Sequence, residues 1–363
     1  MTIDIGIVGL SQSGKTTIFN ALTGGKTDTR SLTPHIGIAK VPEPRLQVLA
    51  DMLHPQKVVP AEVSYIDIGA SVKDLGGGKG VGGQVLHQLS EADALIDVVR
   101  AFADETVPHI EGSLDVDRDI ATTNLELTLH DLGIITRRLE KIAESLKAAK
   151  PAERQALVPE QTLLGRLKTG LEKEVPIREM AISPDEARLI THYQFLTAKP
   201  RLIVVNIGEE QIAGAQKMQN ELNARYGRAG SKAITLCGEL EMELVQLDDK
   251  AAEDFRAEYG LPKAGLEHVV QFSYELLGLV TFFTTVSDEM RAWSIPGGTP
   301  ALKAAGKIHS DMERGFIRAE VIGYNDLLKC GGMAEAHKRG LLRLESKHYV
   351  VQDGDVITFR FNI

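Results

Sequence analysis

Short apolar stretches alternate with longer stretches of helical spacing over the first part of the chain. The apolar stretches are rich in β-branched residues and have the length of buried strands. They cover 3–8, 62–67, 94–99, 201–206 and 233–237. This alternation predicts an α/β fold, with a doubly wound, mostly parallel sheet that carries helices on both faces.

The pattern changes between residues 125 and 197. Apolar residues recur at heptad positions at Leu125, Leu132, Ile135, Leu139, Ile142 and Leu146. We expect Pro151 to end this helix, a second helix to begin near Pro159, and a third to begin at the capping-box residues Ser183-Pro184-Asp185-Glu186. We interpret 125–197 as an inserted helical hairpin of coiled-coil type. Ordinary helices packed on the core are the alternative, because three heptads make a short pattern.

The last part of the chain is rich in predicted strands. We expect a hairpin over 279–286 and 289–295, a helix over 301–309, and strands over 316–322, 349–351 and 356–361. The pattern indicates a small β-rich domain with one main helix. The predicted organisation is a sheet domain of 1–124 and 198–275, the insertion 125–197 and a C-terminal domain of 276–363.

A phosphate-binding motif follows the first predicted strand. Gly9-Leu10-Ser11-Gln12-Ser13-Gly14-Lys15-Thr16 matches G-x-x-x-x-G-K-[ST], between a predicted strand and a predicted helix. Its backbone N–H groups and the helix N-terminus would surround a polyphosphate. We expect Lys15 to reach the β- and γ-phosphates and to act in catalysis, and Thr16 to bind Mg²⁺. We also expect the Lys15 position to be exposed when the site is empty. The predicted phosphate-binding residues are Gln12, Ser13, Gly14, Lys15, Thr16 and Thr17.

Composition narrows the class of protein. The chain has 363 residues, 43% hydrophobic and 25% charged, which is ordinary for a soluble protein of two or three domains. No apolar run has the length of a membrane span, and the first predicted strand leaves no room for a signal peptide. The two cysteines fit no metal or disulfide pattern. We therefore expect a cytoplasmic protein with no membrane partner.

Charge is unevenly distributed along the chain. The net charge is −9, which argues against a surface made for DNA. Residues 291–363 nevertheless carry 11 Lys and Arg against 8 Asp and Glu, a net of +3. A solvated surface is the simple explanation of this asymmetry, and contact with an anionic partner is the other.

Two further elements follow predicted strands. Asp67-Ile68-Gly69-Ala70 is similar to the D-x-x-G element of GTPase-like switch proteins, whose Asp binds Mg²⁺ through water. Residues 75–84 include six glycines, which suits either a switch loop that the γ-phosphate orders or a flexible linker.

The base-recognition element lies after the fourth strand. Asn206-Ile207-Gly208-Glu209 stands where guanine-specific proteins carry N-K-x-D. Ile207 replaces the Lys and Glu209 replaces the Asp that accepts hydrogen bonds from guanine. We expect Asn206, Ile207 and Glu209 to contact the nucleotide with altered base preference.

The chain resembles the Obg-like ATPase (YchF) family of translation-factor-class P-loop proteins over nearly its whole length. The resemblance is carried by 6–10, 42–46, 65–68, 206–209, 291–296, 306–309, 315–320 and 353–356. It implies a nucleotide-binding domain, a helical hairpin and a ubiquitin-like (β-grasp, TGS) C-terminal domain. It also implies ATP preference, slow hydrolysis and association with the ribosome.

Departures from the family pattern mark specific positions. The Asn implied in potassium binding is Gln12 here, which puts potassium dependence in doubt. The family's D-I-A-G-L reads Asp67-Ile68-Gly69-Ala70-Ser71, so this chain could be a divergent member. The switch-I Thr, a second Mg²⁺ ligand, falls on Ser31, with Thr33 two residues further on.

Hydrolysis needs a group that orients water. Ras-like proteins use a Gln after D-x-x-G, where this chain has Ala70 and Ser71. The resemblance instead implies a histidine, and its motif matches Val107-Pro108-His109-Ile110. We take His109 as the catalytic candidate; a solvent-exposed loop histidine is the alternative.

Three functions are compatible with these residues. The first is a slowly hydrolysing ATP switch acting on ribosomal RNA or protein. The second is a GTP-specific switch, and the third is a binding module that its nucleotide stabilises without turnover. The cofactors expected are Mg²⁺ and ATP as substrate.

Overall fold

The computed structural model describes residues 3–25, 34–69, 71–73, 81–258, 261, 265–286 and 288–362. Its strands are β1 (Asp4–Val8), β2 (His35–Lys40), β3 (Lys57–Val59), β4 (Glu62–Asp67), β5 (Ala94–Arg100), β6 (Arg201–Asn206), β7 (Ser231–Leu236), β8 (Leu279–Val286), β9 (Glu289–Pro296), β10 (Phe316–Gly323), β11 (Arg343–Glu345) and β12 (Asp355–Phe361). Its helices are α1 (Lys15–Thr23), α2 (Pro44–Leu53), α3 (Val81–Glu91), α4 (Val116–Ala148), α5 (Pro151–Leu171), α6 (Pro184–Ile190), α7 (Ala215–Tyr226), α8 (Gly238–Leu244), α9 (Asp249–Glu258), α10 (Gly265–Leu276), α11 (Ala301–Ile308), α12 (Ser310–Arg314), α13 (Tyr324–Cys330) and α14 (Met333–Lys338).

One six-stranded sheet has the order β2-β4-β1-β5-β6-β7. The pairs β4–β1, β1–β5, β5–β6 and β6–β7 are parallel, as the alternation of strands and helices predicted. Strands β5 and β6 are buried at every position, because helices cover both faces of such a sheet. The α/β class is therefore confirmed.

The helical insertion begins earlier than predicted. Helix α4 starts at Val116, where Asp115 caps it by accepting a hydrogen bond from the Arg118 N–H at 3.0 Å. Helices α4 and α5 share a core in which Ile135, Ile142 and Leu164 are almost fully buried. Leu125 does not join that core and is 52% exposed. The heptad prediction therefore holds only from Leu132 onward.

Of the two predictions made from prolines in the insertion, one is correct and one is wrong. Pro151 follows the end of α4 and is the first residue of α5. Pro159 lies inside α5, so the prediction that a helix begins there is wrong. The predicted start at Ser183 is confirmed, since Ser183 Oγ accepts from the Glu186 N–H at 3.3 Å and Glu186 Oε2 accepts from the Ser183 N–H at 2.9 Å.

A second sheet has the order β11-β10-β12-β8-β9-β3. The β8–β9 hairpin is antiparallel, β12 lies parallel to β8, and β10 lies antiparallel to β12. Helix α11 packs through Ala301, Ala304 and Ala305 on a core that includes Phe282. This is the predicted β-grasp arrangement. Residues 349–351 form only an isolated bridge at Val350, not a strand.

The chain divides into two compact units. One contains 1–3, 39–63 and 270–363, and the other contains 4–38 and 64–269. The second sheet thus includes β3, which pairs with β9 from Lys57 opposite Glu289. This division differs from the three-part boundaries drawn from sequence, because it groups 39–63 with the C-terminal residues and keeps the helical insertion with the first sheet. Both cysteines are buried free thiols, and among the described helices none could cross a membrane.

Candidate functional site

The phosphate-binding motif occupies the turn between β1 and α1, at the carboxyl end of β1. Gly14 has φ 91°, and a Cβ there would lie 2.2 Å from Asn206 Nδ2. Only glycine allows this backbone and this close approach. Gln12 has φ 62°, a left-handed conformation in which residues other than glycine are strained. Its side chain is exposed, whereas Ser13 is buried and Thr17 is half-buried.

Lys15 is held by the motif's own backbone. Its Nζ donates to the carbonyl oxygens of Leu10 at 2.8 Å and Gly9 at 3.3 Å, and the residue is 5% exposed. The expectation that this position is exposed is therefore wrong. The ammonium lies within the loop that would surround a polyphosphate, so the predicted contact with the β- and γ-phosphates requires exchange of these carbonyl contacts.

Thr16 and Asp67 meet at the ends of α1 and β4. Thr16 Oγ1 donates to Asp67 Oδ2 at 2.7 Å, and Asp67 is fully buried. Strand β4 places Asp67 beside Ile7 of β1, and the motif begins two residues after Ile7. A hydroxyl and a carboxylate are hard oxygen donors of the kind Mg²⁺ prefers.

These two side chains therefore fit a Mg²⁺ site that nucleotide phosphates complete. Among the residues that the structure describes, no group of three or more His, Cys, Asp and Glu side chains could hold a metal ion. Ser31, Thr33 and Ala70 lie outside the described residues, as do 74–80 of the glycine-rich segment. Val81–Gln84, predicted within that loop, instead begin α3.

Asn206, the last residue of β6, joins two loops. Its Nδ2 donates to the Ser13 carbonyl at 3.2 Å, and its Oδ1 accepts from the Gly238 N–H at 2.9 Å. The side chain is 4% exposed and connects the phosphate-binding motif to the start of α8. Sequence reasoning missed Gly238, although its place after the fifth predicted strand was the available signal.

The other two residues predicted to recognise the base, Ile207 and Glu209, lie in different environments. Ile207 is 3% exposed and packs in a core cluster with Val205 and Leu240. Glu209 is exposed at the start of a 3-10 turn, Glu209–Gly214. The carboxylate of Glu209 is thus accessible to a ligand, whereas the side chain of Ile207 is packed in the core. Contacts of either residue with a base stay predictions.

His109 is buried and paired. Its side chain is 5% exposed, and Nε2 lies 2.9 Å from Asp119 Oδ2, a carboxylate 3% exposed. Nδ1 accepts from the Glu111 N–H at 3.1 Å. Asp119 also receives the Arg118 guanidinium at 2.8 Å. The alternative of a solvent-exposed loop histidine is therefore wrong, and the catalytic role stays a prediction.

Asp119 was not identified from the sequence, since one aspartate in the first turn of a helix is ordinary. The contacts of His109 have a chemical consequence. A hydrogen bond from Glu111 N–H leaves Nδ1 without a proton, so Nε2 carries it. Asp119 Oδ2 lies 2.9 Å from Nε2 but has no hydrogen-bond partner among the described residues, so the two groups are in contact without a hydrogen bond. The side chain is buried against Asp119, and it has to leave this position before it can orient water.

Comparison with known proteins gives relatives over the full length. A family model for the YchF-GTPase C-terminal region, described as "Protein of unknown function (DUF933)", matches residues 279–362. The chain is 40% identical to the ribosome-binding ATPase YchF of Bacillus subtilis and 35% identical to that of Escherichia coli O157:H7, each over 100% of both chains. The solved Schizosaccharomyces pombe YchF GTPase has a TM-score of 0.83 and 27% identity, covering 99% of this chain and 98% of its own.

Proposed function

Because this chain belongs to the Obg-like ATPase (YchF) family, we propose that it binds and slowly hydrolyses ATP and that the bound nucleotide controls its association with the ribosome. The observation that carries the nucleotide part is the Thr16–Asp67 hydrogen bond of 2.7 Å beside the phosphate-binding motif. Relatives of 35–40% identity are named ribosome-binding ATPases, which supports the partner. The ribosome is a cytoplasmic partner, and neither DNA nor a membrane is part of this proposal.

At the phosphate end of the site, each residue would have a different role. Backbone N–H groups of the motif donate hydrogen bonds to the phosphate oxygens, and Lys15 supplies the positive charge beside the β- and γ-phosphates. Thr16 would bind Mg²⁺ directly, and Asp67 would bind it through water. When bound, Mg²⁺ neutralises charge that develops on the β- and γ-oxygens. Ser31 and Thr33 remain the candidates for a further ligand.

Slow turnover follows from the position of His109. A water-orienting group that is buried against a carboxylate becomes available only after a local rearrangement. The fraction of molecules in which His109 is free then multiplies the rate. Unstimulated Ras-like hydrolysis, of about 10⁻⁴ per second, is the scale we expect.

The proposed preference for ATP rests on the altered base-recognition element, in which Ile207 and Glu209 replace the usual Lys and Asp. A site built to pair guanine's donors rejects an analogue without them by roughly 10⁴-fold. Here the Lys position is an isoleucine directed into the core, and the acceptor is a glutamate one methylene longer than aspartate. Gln12 stands at the potassium-binding position of the family, so potassium dependence is a further question for the same assay.

Two observations favour the alternative functions, a GTP-specific switch and a binding module without turnover. The fission yeast neighbour is named a GTPase, which favours the GTP-specific switch as the second candidate. The sequestered His109 favours the third, a binding module that nucleotide stabilises without turnover.

Isothermal titration with ATP, GTP and ADP in Mg²⁺, with and without potassium, decides between these nucleotides. We expect ATP to bind at least tenfold more tightly than GTP. GTP binding equal to or tighter than ATP binding would instead support the GTP switch. Single-turnover measurement with the preferred nucleotide, compared with buffer alone, separates the non-hydrolysing module.

Ribosome association is tested by co-sedimentation with an ATP analogue or ADP. Removal of the chain after residue 272 would strip β3 of its partner β9, and Arg45 would lose its 2.7 Å contact with Asp353. Charge reversal is a cleaner change: Lys329→Glu with Lys338→Glu alters two exposed cations of the positively charged C-terminal residues.

The double reversal is expected to reduce pelleting, because the partner's RNA surface is anionic. Lys147→Glu, an exposed lysine at the end of α4, is the matched control. Equal pelleting with both nucleotides would reject nucleotide control, and equal pelleting of the double variant and the wild type would reject a docking role for these lysines.

A further inference from the structure

A polar cavity lies at the amino ends of β6 and β7, at the edge of the first sheet opposite the phosphate-binding motif. Its volume is about 300 Å³, and its lining includes Arg201 and Ser231, the first residues of β6 and β7. These two residues are register partners. The phosphate-binding motif lies at the carboxyl ends of the strands, so five residue steps of strand, roughly 17 Å, separate the two edges. The cavity is therefore distinct from the nucleotide site.

Four arginines contribute to the cavity lining: Arg178, Arg201, Arg225 and Arg228. Two of them have carboxylate partners at the rim. Arg225 pairs with Asp117, and Arg228 Nη1 lies 3.3 Å from Glu179 Oε2. Glu174 and Glu179 are the carboxylates in the lining itself. Arg201 has Asp97 as its partner, so Arg178 is the one arginine of the four without a carboxylate partner among the described residues.

Of the two deeper guanidinium groups, Arg201 has a carboxylate partner and Arg178 has none among the described residues. Arg201 is 2% exposed, and its Nη1 reaches Asp97 at 3.4 Å and donates to Asn124 Oδ1 at 2.6 Å. Arg178 donates from Nη1 to the Thr197 carbonyl at 3.2 Å, and within the described residues no carboxylate lies within 4 Å of it. Burial, together with the positive charge of Arg201, lowers the pKa of Arg178 to about 9.

Donors in this cavity are left without acceptors. Arg178 Nε, Arg201 Nε and Ser231 Oγ are buried and have no hydrogen-bond partner among the described residues. A buried donor without an acceptor destabilises the fold, and a buried charge without a counterion does so more strongly. An oxyanion would accept from both guanidinium groups and supply a counterion for Arg178.

We propose that this cavity binds a small phosphate-bearing anion through Arg178 and Arg201, with Ser231 Oγ as a further donor. Phosphate oxygens match the forked donors of arginine better than a spherical anion does. The depth of Arg201 favours a free phosphate or a terminal phosphate group. A phosphodiester inside an RNA strand has substituents on both sides and would have to pass the rim. This inference does not depend on the proposed nucleotide function.

The test is isothermal titration of the full-length protein with inorganic phosphate. A Lys15→Ala background weakens phosphate binding at the nucleotide site. In that background Arg178→Met removes one guanidinium while leaving the Asp97–Arg201 pair intact. Arg188→Met, whose side chain is 80% exposed and paired with Asp185, is the matched control. Arg178→Lys keeps the positive charge but removes the forked pair of donors.

We expect Arg178→Met to weaken phosphate binding about ten- to a hundredfold, since a charge-assisted hydrogen bond is lost, and Arg188→Met to have no effect. Arg178→Lys should fall between them. The melting temperature without phosphate should not decrease in Arg178→Met, because removal of a buried, unneutralised cation relieves repulsion with Arg201. ATP binding measured with Lys15 present should be unchanged by Arg178→Met.

Three results would overturn the proposal. Phosphate could fail to bind the Lys15→Ala protein, or bind the Arg178→Met protein equally well. A single-stranded RNA oligonucleotide could bind in an Arg178-dependent manner while inorganic phosphate does not, which would assign the arginines to a phosphodiester chain.

Discussion

Replacement of Asn206 by alanine tests whether this residue holds the nucleotide loops together. Its amide makes two hydrogen bonds at 3.2 and 2.9 Å, to the Ser13 carbonyl and from the Gly238 N–H. Asn206 and Ser13 are 4% and 2% exposed, so water cannot readily replace either bond. A buried polar group that loses its partner costs about 1–3 kcal/mol, and two such groups give about 2–6 kcal/mol.

The effect on binding is expected to follow from the effect on the loop. Without the amide, the Ser13 carbonyl and the start of α8 are no longer tied together, so the N–H groups of the motif lose part of their fixed arrangement. We expect weaker ATP affinity in addition to lower stability. Asn206→Asp separates the two bonds, because aspartate still accepts from Gly238 but presents no donor to Ser13.

The assay is urea unfolding followed by titration with ATP. Asn220→Ala is the control, an exposed asparagine of α7 bonded to Gln216. We expect that control to change stability by less than about 0.5 kcal/mol. If Asn206→Ala loses no more than the control and keeps wild-type ATP affinity, the two hydrogen bonds do not hold the site together.

Three further outcomes follow from the structure. Lys15→Ala should weaken ATP binding at least about tenfold while the protein stays folded, since a charged phosphate contact is lost; unchanged affinity would reject the motif assignment. His109→Ala should slow single-turnover hydrolysis without weakening ATP binding; an unchanged rate would remove His109 from the mechanism. Burial raises the pKa of Asp97 to about 6, so the folded state binds more protons than the unfolded state between about pH 4 and 6. The free energy of unfolding should therefore fall by up to about 3 kcal/mol as pH rises through that window. The difference between wild type and Asp97→Asn, measured by urea unfolding at each pH, should show this slope; a difference independent of pH would refute it.

Features fixed by neighbouring residues were predictable from the sequence. The strand, glycine turn and helix around Lys15 are contiguous, and so is the capping box at Ser183. Pro159 was misread because proline is usually placed at the first turn of a helix. In α5, Pro159 lies on the exposed face of the helix. Proline has no backbone N–H, so the carbonyl of Gln155, four residues earlier and also on the exposed face, has no helical hydrogen-bond donor. Water can solvate that carbonyl, while the buried face continues through Leu163 and Leu164.

Contacts between distant segments were not predictable in this way. Strand β3 is three residues long and exists through pairing with β9, which lies more than two hundred residues along the chain. The partner of His109 was likewise invisible, because nothing local to His109 indicates that Asp119 turns back toward it. Asn206 was correctly placed at a strand end, but its two partners lie far apart in the chain, one in the phosphate-binding motif and one at the start of α8.

The contacts of Lys15 and Thr16 bear on how the site could act as a switch. Both side chains already have partners: two backbone carbonyls for the ammonium, and the Asp67 carboxylate for the hydroxyl. Phosphate and Mg²⁺ therefore replace existing interactions, and only the difference in free energy drives binding. For Lys15 the exchange is from neutral carbonyls to a charged phosphate, which is favourable. For Thr16 it breaks a side-chain bond to β4, the strand that leads into the D-x-x-G-like element. The γ-phosphate can thus act on residues beyond Asp67 only if its contacts there outweigh this bond. We therefore propose the Thr16–Asp67 pair as the place where the bound nucleotide would change the structure.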